Sequence, residues 1–175
     1  MLHIEGYESV DPQCPLGGPD GLKDVICKQN KKMWIAACYF PTTRQEFGGI
    51  QKKFKNDLIG VTKNKADGIV FFVNQRVTPG ERSELISLAM PHSAEIYHVE
   101  RIRALLDSPK GYGARLEYLR IAMTLEEQLG FWSTYKDELA TRLQNQQNMM
   151  SELFFKMDAF MLRTPSFIED LSQAL

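Results

Sequence analysis

The 175-residue sequence predicts an α/β fold, a mixed central sheet flanked by helices with a long C-terminal helical extension, and three observations carry that reading. Gly68-Ile69-Val70-Phe71-Phe72-Val73 is an unbroken run of β-branched and aromatic residues, as in a strand covered on both faces. Segments of strand length alternate with segments of helical period from residue 24 onward, the order that a sheet with helices on its faces requires. After residue 124 the apolar spacing settles into a 4-3 repeat with no proline before Pro165, the pattern of one extended helix.

Taken in order, a short first segment over 4–10 ends at Asp11-Pro12. Three prolines and three glycines between Asp11 and Gly21 make the next stretch loop and turn, because these residues preset or free φ. Pro19-Asp20-Gly21 feeds a strand over 24–27, Lys28-Gln29-Asn30-Lys31 forms a polar hairpin tip, and the return strand covers 33–40 up to Pro41. Ile50, Phe54 and Leu58 recur on one face of a helix over 50–59. Thr78-Pro79-Gly80-Glu81 reads as a capping box with proline at the first helical position, and the helix it opens stops before Pro91. A strand over 94–98, a helix over 99–106, a turn at Gly111-Tyr112-Gly113 and a further strand over 116–121 complete the sheet portion, 1–123.

The remainder, 124–175, opens on a second capping box, Thr124-Leu125-Glu126-Glu127. Trp132, Leu139, Leu143, Met150, Leu153, Met157 and Phe160 fall on a heptad seam in which Lys136 and Gln146 are polar interruptions. A coiled-coil or docking helix is the expectation, set against a helical hairpin folded on the sheet with its break over 144–148. Either way the seam marks a homo-oligomer or a partner or effector protein, and four methionines between Met149 and Met161 suit an adaptable contact.

Composition narrows the function. An apolar fraction of 43% with 25% charged residues is that of a soluble globular domain, and no run of 18 apolar residues offers a membrane span. The N-terminus lacks the layout of a secretory signal, and three cysteines at no ligand spacing read as reduced thiols of a cytoplasmic protein. Net charge is −1, yet 23–65 carries ten basic residues against three acidic ones, while 124–175 carries four against eight. The basic stretch, with Lys23, Lys52, Lys53, Lys55 and also Lys110, is a candidate nucleic-acid surface, or else a solvated helix face.

The chemistry-bearing stretch is Gly17-Gly18-Pro19-Asp20-Gly21-Leu22-Lys23-Asp24 followed by Trp34-Ile35-Ala36-Ala37-Cys38-Tyr39-Phe40. Metal-dependent nucleases hold Mg²⁺ with carboxylates on adjacent strands, because that ion takes hard oxygen ligands, and use a lysine to position and activate water. The glycine-rich turn with its two aspartates resembles that of the restriction-endonuclease-like, PD-(D/E)xK, superfamily, and within it the type IV, Mrr-type modified-DNA restriction endonucleases. Ile4-Glu5-Gly6-Tyr7, Ala66 to Val73 with Thr78 to Arg82, and Glu95 to Ile102 are similar to other segments of that family, so the resemblance covers about 4–106. It implies that Asp24 and Asp20 are the metal acids.

Two departures bear on function. Where the family carries Glu or Gln, one residue, then a catalytic lysine, this chain has Ala37, Cys38 and Tyr39, and a methyl group offers a metal no lone pair. The helix that precedes the Gly-Tyr segment in the family is not matched, and the C-terminal helix or a second subunit is expected to cover that sheet face. The expectation is therefore a catalytically degenerate nuclease-fold module of a bacterial defence or DNA-transaction system, without cofactor, binding DNA or a partner protein. An active Mg²⁺-dependent endonuclease with a relocated lysine, Lys53 being the one carried forward from Lys52, Lys53 and Lys55, and a pure protein-interaction module are the alternatives. Asp20 and Asp24 also read as turn residues, His98 as a hydrogen-bonded edge residue and Cys38 as a buried structural thiol.

Overall fold

The computed structural model describes residues 1–13 and 24–173, with 161–173 as backbone. The chain divides into two compact units, Met1–Met123 and Thr124–Leu175. In the first, strands β1 (Glu8–Pro12), β2 (Val25–Gln29), β3 (Lys32–Tyr39), β4 (Gly68–Val73) and β5 (Ser93–Tyr97) form one sheet in sequence order. Its β1/β2 and β2/β3 pairs are antiparallel, and β3/β4 and β4/β5 are parallel.

Local chemistry explains the joints. Asn30 and Lys31 both take positive φ (53° and 65°), the two-residue turn whose twist matches a hairpin. The tip is therefore two residues, shorter than the expected four, and both strands reach closer to it, β2 ending at Gln29 and β3 starting at Lys32. Helices α1 (Phe47–Lys63) and α2 (Pro79–Ala89) are the crossovers between parallel strands, and right-handed crossovers between sequential neighbours fall on one face. Thr78 and Glu81 cap α2 reciprocally, as their spacing predicts. α1 runs longer than its expected 50–59, because Phe47 and Val61 extend the apolar face of Ile50 and Phe54 by a turn at each end.

That face is the larger core. Ile50, Phe54, Leu85 and Ala89 pack onto Ile35, Ile69 and Phe71 of the sheet, and Phe54 meets Phe71 edge to face at 5.2 Å. Every residue of β4 is buried, as its unbroken run predicts. The opposite face carries Cys27, Trp34, Val70, Phe72 and Tyr97, covered by Leu2 and Tyr7 from the N-terminal turn and by Ile102 and Leu105 of α3 (Val99–Leu106). The first seven residues and α3 cover this face. Tyr97 Oη donates to Glu5 (2.6 Å), and Arg101 lies over the Tyr97 ring at 3.8 Å while bonding Glu95 at 2.8 Å. This network ties the N-terminal turn to α3.

The expected strand over 116–121 is a helix instead, α4 (Tyr112–Leu119). Tyr112, Arg115, Leu116 and Leu119 share a helical face, and the buried Arg115 bonds Asp107 at 2.7 Å and approaches the Tyr112 ring at 5.0 Å. That anchor is a tertiary contact, and Ala114, Leu116, Glu117 and Leu119 are themselves helix formers. The second unit is one continuous helix, α5 (Leu125–Gln173), 49 residues long. Thr124 and Glu127 exchange the two bonds of the expected capping box, and the hairpin break over 144–148 does not occur. No helix among the described residues is long and apolar enough to cross a membrane.

Candidate functional site

Antiparallel pairing brings the start of β2 to the end of β3, and parallel pairing brings the ends of β3, β4 and β5 to that same edge. Ligand clefts of open α/β sheets form outside such carboxyl ends. Asp24 precedes β2 at this edge: Val25 pairs with Ala36, and the Asp24 carboxylate accepts the Cys38 N–H at 2.6 Å. The side chain thus extends the ladder by one bond and holds an acid against Ala37-Cys38-Tyr39, the stretch in which the nuclease motif is lost.

Helix α1 brings two more charges to this corner. Lys53 and Asp57 form an i,i+4 ion pair, the lysine side chain 32% exposed and the aspartate 5%. Both act on the Cys38 thiol together with Asp24. Desolvation first, then Asp24 and Asp57, raise that thiol against the opposing Lys53, to about 11 in all. These neighbours hold Cys38 on the protonated side. It is also exposed, which corrects the expected buried thiol: Ala37 is the inward residue of that alternation, leaving Cys38 at the rim. The buried cysteine is Cys27.

The basic residues of the sequence divide. Lys53 faces the corner, whereas Lys52 and Lys55 are exposed, Lys55 bonding Gln51 at 3.4 Å. Lys110 belongs to the connection between α3 and α4, away from α1 in the chain. Asp20 and Lys23 lie outside the described residues. Trp34 is buried and packs edge-on against Tyr7 at 5.9 Å, so it is a core residue. Among the described residues no group of three or more His, Cys, Asp or Glu side chains could hold a metal ion. A divalent ion here would have only Asp24 and the buried, lysine-paired Asp57 as side-chain ligands, and would have to complete its shell with water and phosphate oxygens.

Beside the corner, between the ends of β3 and β4, lies a cleft of about 570 Å³ in whose lining Arg44 and Arg76 are balanced by Glu46 and Glu81. Its walls are stitched together: the Gln45 N–H donates to Gln75 Oε1 at 3.2 Å, and Asn74 Nδ2 donates to the Pro41 carbonyl at 3.0 Å. Further along the edge His98 bonds Glu100 at 2.8 Å and meets Arg82 at 3.4 Å, while Arg76 pairs with Glu100 at 3.1 Å. His98 is thus held as a hydrogen-bonded edge residue, and its contact lowers the Glu100 carboxyl below the usual range.

Sequence reasoning missed Asp57 and the arginines of the cleft. For Asp57 the signal was present: Ile50, Phe54, Asp57 and Val61 share the buried stripe of α1, and an acid on such a stripe is rarely there for packing. Arg44 and Arg76 carry no comparable periodic signal. No protein-family model matches the chain, and no curated protein matches it. What the fold and this corner define is an α/β protein with a five-stranded mixed sheet and a charged site at one sheet edge.

Proposed function

We propose that the sheet unit is a nuclease-fold module of a bacterial defence or DNA-transaction system, acting on nucleic acid at the Asp24–Lys53–Asp57 corner with its lysine relocated from β3 to α1. One observation carries this reading: the Asp24 carboxylate is held on the Cys38 N–H at the sheet edge, with the Lys53–Asp57 ion pair of α1 near enough to act on the same residue. An antiparallel β1–β2–β3 meander followed by a parallel crossover through α1 agrees with it. In this reading Asp24 and Asp57 would hold Mg²⁺, which would supply charge neutralisation at the phosphate and a more acidic bound water. Lys53 releases Asp57 and orients on the scissile phosphate, and Lys52 and Lys55 contact the flanking backbone. The helical unit oligomerises or joins a partner.

The sequence alone favours loss of catalysis, and one observation keeps that second reading: the Lys53–Asp57 ion pair neutralises the lysine in the absence of substrate. A plasmid-nicking assay with Mg²⁺ or Mn²⁺ separates the two. The relocated-lysine reading expects nicking by the parent chain, a loss of about a hundredfold or more in Lys53→Met, and a change of no more than a few fold in Lys52→Met. Cleavage that survives Lys53→Met defeats it. No nicking by the parent, with no heat on titrating either metal, leaves a binding module.

A further inference from the structure

We infer that α5 pairs with α5 of a second copy of this chain as a parallel, in-register, two-stranded coiled coil. The inference deepens the helix half of the reading above, rests on that half alone, and draws nothing from the sheet edge.

The geometry first selects a helical partner. The seam begins earlier than Trp132: Leu125 and Leu129 continue its 4-3 spacing upstream, so it runs unbroken over 125–160 within one helix. A 3.5-residue repeat on a straight 3.6-residue helix drifts by about 20° per heptad, or about 100° over five heptads. No flat sheet face or short groove stays in register with a stripe that turns so far, whereas a second helix that supercoils with it does. The apolar seam residues are 49% to 70% exposed in the single chain.

The flanking positions then select a second copy. With Trp132 and Leu139 at d and Leu143 at a, an in-register parallel pair sets Gln128 against Ser133, Tyr135 against Ala140, Arg142 against Gln147 and Met149 against Phe154 of the other chain. Across these four flanking pairs no like charges meet, and Met149 with Phe154 widens the apolar layer. Equally, these positions offer no line of charge to recruit a partner of opposite sign, which is how heterotypic coiled coils choose. Gln146 at d faces its own copy, and an amide, donor and acceptor at once, satisfies an identical amide. Lys136 at a fits two strands, where its stem covers the seam and its ammonium group reaches water. Covering the seam buries on the order of 800 Å² per copy, the size of a standard stable interface.

The test is light scattering of the full chain at micromolar concentration, with three variants. The pairing predicts twice the chain mass for the parent, and roughly a hundredfold or greater weakening for Leu143→Asp with Leu153→Asp, two buried layers together. Phe155→Asp, on the outward f position and 75% exposed, leaves the dimer intact. Leu129→Cys at a forms a covalent dimer under copper–phenanthroline oxidation beyond that of the parent chain, which a parallel register alone brings about. A monomeric or higher-order parent, equal dissociation by Phe155→Asp, or no added cross-link overturns the proposal. None of these outcomes alters the nicking result, so its failure stands apart from that of the nuclease reading.

Discussion

Replacing Asp24 by Asn and by Ala separates what this residue does for the fold from what it does for the chemistry. Its carboxylate accepts the Cys38 N–H at 2.6 Å, and a hydrogen bond to a charged group contributes about 1.5–3 kcal/mol when shielded. This one is exposed, so screening brings it to about 1 kcal/mol. With a urea slope of about 2 kcal/mol per molar, Asp24→Ala should lower the unfolding midpoint by about 0.5 M. Asn keeps a carbonyl oxygen for Cys38 and loses only the charge, so its midpoint should fall by no more than about 0.2 M. Both variants should lose the heat of Mn²⁺ binding and all nicking, because an amide is a poor ligand beside a carboxylate. Urea unfolding followed by tryptophan fluorescence, with metal titration on the same samples, measures both. Asp24→Asn as unstable as Asp24→Ala would refute the ladder role, and undiminished metal binding in Asp24→Asn would refute the metal role.

Three further outcomes are expected. A methyl group on Gly68 would stand 2.6 Å from the Ser93 carbonyl oxygen and 2.7 Å from the Trp34 ring, neither free to move, so Gly68→Ala should cost about 1–3 kcal/mol in urea unfolding; a neutral result would mean that β4 and β5 separate easily. Arg115 and Arg103 lower the Asp107 carboxyl, so its contribution is full above the ordinary carboxylate range and is lost as pH falls through its depressed value; the gap in urea midpoint between the parent and Asp107→Asn should be present at pH 7 and close in acid, and a gap independent of pH would exclude the ion pair as its cause. Replacing both Lys52 and Lys55 by Ala should reduce the salt slope of duplex DNA binding by about 2, measured by fluorescence anisotropy; an unchanged slope would place the phosphates elsewhere.

The sheet was legible where one signal dominated. The β4 run and the Thr78-Pro79-Gly80-Glu81 cap needed no tertiary information, since burial on both faces and reciprocal capping are written in consecutive residues. α4 was misread although Ala114, Arg115, Leu116, Glu117 and Leu119 are helix formers: Gly111 and Gly113 suggested a turn, and the contact of Arg115 on Asp107 reaches outside the helix. The site was legible in halves. Asp24 stands in the turn that the resemblance marks, and Lys53 was one of three equivalent lysines until the helix phase turned it inward and Lys52 outward. Asp57 went unread because attention to charge followed the wet face of α1, while this acid sits on the dry one. The N-terminal turn, covering the second sheet face, could not be foreseen from composition, since Leu2 and Tyr7 are too few to form a pattern.

The complete burial of β4 also sets the order in which the molecule yields its amide protons to solvent. Ile69 to Phe72 are bonded to strands on both sides and covered by a helical layer or by the N-terminal turn, so partial opening does not reach them and only unfolding of the whole sheet unit does. Their exchange rates are therefore a direct gauge of that unit's global stability, readable residue by residue. Any ligand that binds the folded edge must slow them by the same factor wherever along the strand they are read.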